Sequence, residues 1–425
     1  MATTTADAPT AGAATPFARD SDARERAIPI RPADLVRALL ADEGVSPVER
    51  GELAQLAKLL GATLHHEYQG WSEELKDLYA AYDPDTDCVD LDCSAKVSET
   101  GDEAFLKPFE SALIRANYRP LRMQVIEDAV AAPNEKGLTY LPDFKIFEHL
   151  RVYVRGSTQI GRYTRNLKSR FRRRKVDFPG YQRFVVLLKF REGMDLDDFV
   201  RSDVIYIRMF KDVPHVDMEM HLPEQGTKVK MRLIDKAQIA SPFVAFPASM
   251  AAKSLTFLIG AAQAGPSFTV GALMLAPITA AVNSFFGFKR AKQRHLSTMI
   301  RHLYYLTLCN NGGVINYVVN SAEEEDFKEA LLAYHCLWRH RDDGETWDSA
   351  RVDRCIEAYL RQQTSLPIDF DVSDALGKLY RLGIVHKDHM GHLSALPIGR
   401  ALEILDQRWD DTFRFNRPRP SPADV

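Results

Sequence analysis

The sequence predicts an α+β protein. It has a helical N-terminal unit, a central β-rich domain, an apolar helical hairpin read as transmembrane, and a C-terminal winged-helix-like domain. Three observations carry this reading. Leucines recur at intervals of three and four in the first eighty residues. Runs rich in Val, Ile, Tyr and Phe, bounded by Gly, Pro and Asp, fill 138–236. No charged residue or histidine occurs from Ser254 to Phe288, a stretch of 35 residues. With 425 residues, 45% hydrophobic and 27% charged, the chain is long enough for two or three cores. The divisions fall at 1–28 (tail), 29–135 (mainly helical), 136–240 (β-rich), 241–312 (hairpin and following helix), 313–412 (winged-helix-like) and 413–425 (tail).

In chain order, the Ala/Thr/Pro-rich start reads as a tail without the apolar core of a signal peptide, which places the bulk of the chain in the cytosol. Leu35, Leu39 and Leu40 mark a first helix, Leu53, Leu56, Leu59 and Leu60 a second, and Leu75 and Leu78 a third. The acidic run Asp83 to Asp92 follows. Strand signals then appear at 149–156, 183–190, 204–210 and 227–234. A helical pattern over 280–308 ends at Asn310, Asn311, Gly312 and Gly313, read as helix stops. Helices at about 322–340, 347–363 and 371–382 precede two short strand-like pieces around Asp388 to Gly391 and a final helix ending near Trp409. Three helices and a two-stranded wing are the element order of a winged helix.

Gly265-Pro266 divides the uncharged stretch. Its second half, Ser267 to Phe288, spans about 33 Å as a helix, enough for a bilayer core. Lys253 interrupts the first half. Ala272, Ala276, Ala280 and Ser284 give the second half a small-residue face suited to close helix contact, and hence to a homo-oligomer. Basic residues on both outer flanks place both soluble ends in the cytoplasm. The competing reading is a buried hairpin in the core of a soluble enzyme or nucleic-acid-binding protein.

Arg162, Arg165, Lys168, Arg170, Arg172, Arg173, Arg174 and Lys175 put eight basic residues within fourteen, with Tyr163 and Phe171 interleaved. Beside a membrane anchor, anionic lipid headgroups are the natural partner. A solvated loop is the plain reading, and nucleic acid is not expected. The five cysteines are few, scattered and odd in number, which favours free thiols in a reducing compartment. Asp83, Asp85 and Asp87 occupy the odd positions of a calcium loop, but Cys88 and Ser94 stand where glycine and a bidentate Glu are needed. His65-His66-Glu67 lacks a partner histidine one helical turn away. Phosphate loops and nucleophile elbows are absent. The sequence therefore assigns no catalytic, cofactor or metal site. In the winged-helix-like unit, Asp369, Asp371 and Asp374 open the helix that would enter a groove, and their charge opposes DNA.

The segment FKDVPHVDMEMHLP (210–223) resembles the family known as domain of unknown function 3754, which includes the mitochondrial transmembrane protein 143. YAAYDPDTD (79–87), RANYRPL (115–121), VYVRG (152–156), residues 283–314, DFKEALLAYHCLW (326–338) and the segment beginning at Asp369 extend the likeness over most of 30–412. The resemblance implies a membrane-associated protein with two hydrophobic segments and supplies no activity. Lys211, Asp212, Pro214, Asp217 and Glu219 within the motif form a candidate ion-pairing site facing the basic run. The function expected is a non-enzymatic adaptor or scaffold on the cytoplasmic face, binding membrane lipid and an unidentified protein.

Overall fold

A computed structural model describes residues 24–87, 101–131, 138–141, 144–164, 174–222 apart from 195 and 197, 228–231, 297, 300, 303–341 and 346–413. Two long helices organise it. Helix α1 spans Pro32–Leu40, and α2 spans Pro47–Tyr79, 33 residues or about 50 Å. A capping box starts α2: the Ser46 hydroxyl accepts from the Glu49 amide, and the Glu49 carboxylate accepts from the Ser46 amide. The second and third predicted helices are thus one continuous rod.

Helix α3 (Glu103–Arg115) leads into the edge strand β1 (Arg119–Pro120), helix α4 (Met123–Ala131) and strand β2 (Leu138–Leu141). Then come the long strands β3 (Phe147–Thr164), β4 (Arg174–Phe190) and β5 (Tyr206–Pro214), a 3-10 segment His215–His221, and β6 (Lys228–Met231). Strand β7 (Thr307–Asn310) completes an antiparallel sheet in the order β1-β3-β4-β5-β7; β2 pairs separately with β6.

Both faces of this sheet are covered. Tyr153, Val185, Leu187, Ile207 and Met209 pack with α2, α3 and helix α5 (Gly312–Arg339), whereas Val152, Val154, Phe184, Val186, Leu188 and Phe210 pack with α4 and the 3-10 segment. Two-sided burial is why the strand at 183–190 is a continuous apolar run and not an alternating one.

Helices α6 (Ser349–Thr364) and α7 (Val372–Leu382), the hairpin β8 (Val385–Lys387) and β9 (Leu393–Ala395), and α8 (Ile398–Asp410) complete the chain. They close over the first half of α2 and the second half of α5, so Leu35, Leu56, Leu60, Tyr334, Trp338, Leu379 and Leu405 share one core. Each long helix therefore contributes to two cores and ties them together.

Two expectations are corrected. Among the described residues no helix is long and apolar enough to cross a membrane. The transmembrane hairpin is therefore not supported, and the stretch 254–288, with its small-residue face, lies outside the described residues. What remains of the predicted class is its mixture of helix and sheet. Secondly, the helix predicted to run to 308 and stop at Gly312-Gly313 gives way to β7, and the glycines open α5. Asn311 makes the turn at φ 47°. Its side chain accepts from the Ile207 amide (3.0 Å) and donates to Asp85 (2.6 Å), and its own amide bonds the Ile207 carbonyl (2.7 Å). Pairing with β5 thus outweighs the local helical pattern. The same contacts put Asp83 and Asp85 at the N-terminus of α5, where negative charge complements the helix dipole.

Candidate functional site

The described ends of the basic run lie on a two-stranded arm. Strand β5 pairs with β4 only as far as Pro214 opposite Gly180, and β1 meets β3 only at Tyr153 and Val154. Beyond Thr158 and Gly180, β3 and β4 pair only with each other among the described residues, out to Tyr163 opposite Lys175 and Thr164 opposite Arg174. Seven residues from Thr158 to Thr164 extend about 23 Å. Ile160 opposite Phe178 is an apolar pair within it.

Of the predicted patch, Arg162, Arg174 and Lys175 lie on these strands. Arg165, Lys168, Arg170, Arg172 and Arg173 lie outside the described residues. Residues 158–180 hold eight basic residues against one acid, Asp177, a net +7. With −3 for the whole chain, the remainder sums to −10. Charge is segregated along the sequence, and Arg162, Arg174 and Lys175 of the positive segment lie on the described arm.

A crease marks where sheet becomes arm. Gly156 on β3 has φ +73° and Asp212 on β5 has φ 50°, and the register sets both in the row of Gln182 on β4. A Cβ at Gly156 would fall within 2.9 Å of the Gln182 side chain, so backbone dihedral and space both demand glycine. At Gly180 a Cβ would meet the Val213 carbonyl oxygen at 2.5 Å and the Pro214 Cα at 2.9 Å. The glycine lets β5 close against the base of the arm.

The candidate motif sits at this base. Lys211 pairs in register with Arg183 and Pro214 with Gly180; Asp212 is exposed and Asp217 buried. His215 and His221 are buried with Asp217. His215 packs on Tyr181 (4.5 Å between rings), and His221 Nδ1 bonds the Asp217 carbonyl (3.0 Å). Glu219 lies on the 3-10 segment. About 20 Å of strand separates Gly180, which pairs with Pro214, from Arg174. Residues 181–313 match the family model described as Protein of unknown function (DUF3754). The match begins just past the arm and ends as α5 starts. It carries no activity with it, and no solved structure matches the chain.

A strap anchors the arm to the helical body. The Ser157 amide donates to Glu25 (3.2 Å), and Glu25 bridges to Ile368. Arg24 pairs with Glu357 and Asp369. Ile28 closes the strap: its amide donates to buried Glu325 (3.0 Å), and its carbonyl accepts from buried Lys328 (2.7 Å). Glu325 also takes Arg155 from β3 (2.9 Å). Composition assigned these residues to the tail; the acids and bases at 325–329, inside an otherwise apolar helix, were the signal that a polar partner must dock there.

Sequence reasoning also missed a second buried network. Lys378 of α7 reaches Asp326 (2.7 Å), Glu329 (2.8 Å) and Asp374 (2.7 Å), and the Tyr68 hydroxyl donates to Asp326 (2.6 Å). The three carboxylates are close enough to hold a metal ion, but the ammonium stands among them and supplies the positive charge. Burial pushes Glu329 up to about 7 despite Lys378. Burial opposes the Lys378 charge too, yet its carboxylates hold it above the ordinary range. Lys189 does the same for Asp102 (2.6 Å) and Glu148 (3.3 Å) beside His149. The Lys378 network fastens α5 to α7, and the Lys189 network ties the start of α3 to β3 and β4. Nearby, a cleft of about 480 Å³ lined by Trp71, Ser111, Arg115 and Arg381 has Arg381 paired with Glu67 (2.9 Å) and Arg115 stacked on Trp71.

Proposed function

We propose that the protein is a non-enzymatic adaptor that docks peripherally on anionic lipid through the β3–β4 arm. The observation that carries the reading is the arm itself: the β3–β4 ribbon leaves the sheet carrying Arg162, Arg174 and Lys175, and residues 158–180 sum to +7 in sequence against −10 for the rest of the chain. Such a charge dipole orients the molecule tip-first at a negative surface. Lipid is preferred to nucleic acid because Tyr163 and Phe171, between the arginines, suit the headgroup layer. The resemblance to a family of membrane-associated proteins, the transmembrane protein 143 among them, points the same way. The helical body, with its two joined cores, is left to hold a protein partner.

Each basic residue near an anionic surface contributes about 1 kcal/mol. Replacing Arg172, Arg173, Arg174 and Lys175 by glutamine removes about 4 kcal/mol, roughly a thousandfold in affinity. In vesicle flotation at low salt, the wild-type protein rises with phosphatidylserine vesicles and the fourfold variant stays at the bottom. Equal flotation of the two defeats the proposal. So does binding of the wild type to RNA but not to vesicles.

A further inference from the structure

Helix α5 presents Cys336 and His340 one turn apart, and α6 presents Arg351 and Cys355 one turn apart, so each pair shares a helix face. The two faces meet. The Cys336 and Cys355 thiols lie near enough to shift each other's titration, and His340 and Arg351 are near enough to act on Cys355. Trp347 braces the basic groups: the His340 ring stacks on it at 4.8 Å and 26°, and the Arg351 guanidinium lies 4.4 Å from its centre. Cys336 is buried and Cys355 half-buried. Two thiols thus share one pocket with two basic groups beside them.

We propose that Cys355 and Cys336 are a redox-active dithiol, converted to a disulfide by exchange with a small disulfide such as oxidised glutathione. The inference stands apart from the lipid-docking reading. The Cys355 thiolate attacks one glutathione sulfur, the S–S bond breaks, and one glutathione leaves as thiolate and takes up a proton. Cys336 then attacks the Cys355 sulfur of the mixed disulfide and releases the second glutathione, which receives the Cys336 proton. Two electrons pass from the protein thiols to the small disulfide, leaving one protein disulfide and two glutathione thiols. The neighbouring Cys336 thiol, with His340 and Arg351, holds the Cys355 thiol below its ordinary range, which favours the attacking thiolate. Burial instead pushes Cys309 up to about 11.

The test equilibrates the full-length protein with glutathione buffers of rising oxidising strength, blocks free thiols with iodoacetamide and maps the products by mass spectrometry. A Cys336–Cys355 disulfide is expected. Cys336→Ser, with no second thiol, accumulates a mixed glutathione disulfide at Cys355. Cys355→Ser leaves Cys336 reduced. Alkylation of Cys355 at neutral pH runs at least roughly tenfold faster than that of Cys309, and its pH midpoint moves upward in His340→Gln. Far-UV circular dichroism confirms that the variants fold, and Cys336→Ala serves if the serine variant does not. Thiols that stay alkylatable at every glutathione ratio overturn the assignment, as does oxidation confined to Cys309.

Discussion

Replacing Lys378 by methionine isolates the chemistry that locks α7 onto α5. The ammonium lies 2.7–2.8 Å from Asp326, Glu329 and Asp374, and Asp326 and Glu329 are only 2% and 4% exposed. Methionine keeps the volume of the stem and removes the charge, leaving two buried carboxylates without their cation. Breaking a buried pair in this way costs about 3–5 kcal/mol. The penalty depends on pH. Glu329 already stands at about 7 with Lys378 present, and without it the carboxyl rises further and takes up a proton. Each proton bound returns up to about 1.4 kcal/mol per pH unit, so the penalty is largest near pH 8 and shrinks towards pH 5. Urea unfolding at several pH values, followed by tryptophan fluorescence, measures it. Trp71 neighbours Tyr68 (5.6 Å between rings), while Trp338 and Trp347 sit in the C-terminal core. Adding Asp326→Asn and Glu329→Gln restores most of the loss, because no unpaired charge is then buried. A penalty below about 1 kcal/mol, or one constant from pH 8 to 5, refutes the reasoning.

Burial holds His335 down at about 4 from its ordinary 6.5. The unfolded chain therefore binds more protons between those values, and stability falls by up to about 3 kcal/mol as pH drops through that window. Glu329, raised from 4.5 to about 7, acts oppositely: the folded chain binds the extra proton, and stability falls as pH rises from 4.5 to 7. The two slopes nearly cancel in the wild type, so His335→Phe exposes a steady gain in stability from pH 6.5 down to 4.5, read by urea midpoints. Glu325→Gln leaves buried Lys328 short of its counter-charge and costs about 3–5 kcal/mol; trypsin then cuts faster after Arg24 and Arg26 as the strap loosens. Gly180→Ala drives a Cβ against the Val213 carbonyl and Pro214. It lowers stability by about 1–3 kcal/mol, and hydrogen exchange rises first at the base of the arm.

The sequence made the helix faces and strands legible wherever burial followed a simple period. Leu35, Leu53, Leu56 and Leu60 are core residues at the predicted spacing, and the apolar run at 183–190 is the centre of the sheet. What was not legible depends on partners distant in sequence. The pattern before Asn311 is helical by itself and loses to strand pairing with residues a hundred positions earlier. The length of the arm follows from where β5 stops at Pro214, which the β3 and β4 sequences do not contain. Cys336 and Cys355 each look like an isolated buried thiol until two helices bring them together. The buried charges on α5 were visible in sequence, but their counter-charges come from Arg155 and Lys378, on separate elements.

Removing the arm tests the central claim most directly. Joining Thr158 to Gly180 through an Asn-Gly turn deletes the basic tip but keeps every pairing of β3, β4 and β5 in the body of the sheet. Affinity for phosphatidylserine vesicles, measured against ionic strength, then compares an intact body with and without its positive end. The account predicts wild-type binding that falls steeply from low salt to 1 M, where screening shortens to about 3 Å, and no salt-sensitive binding in a folded, arm-less protein. Undiminished, salt-sensitive binding by the arm-less protein contradicts it.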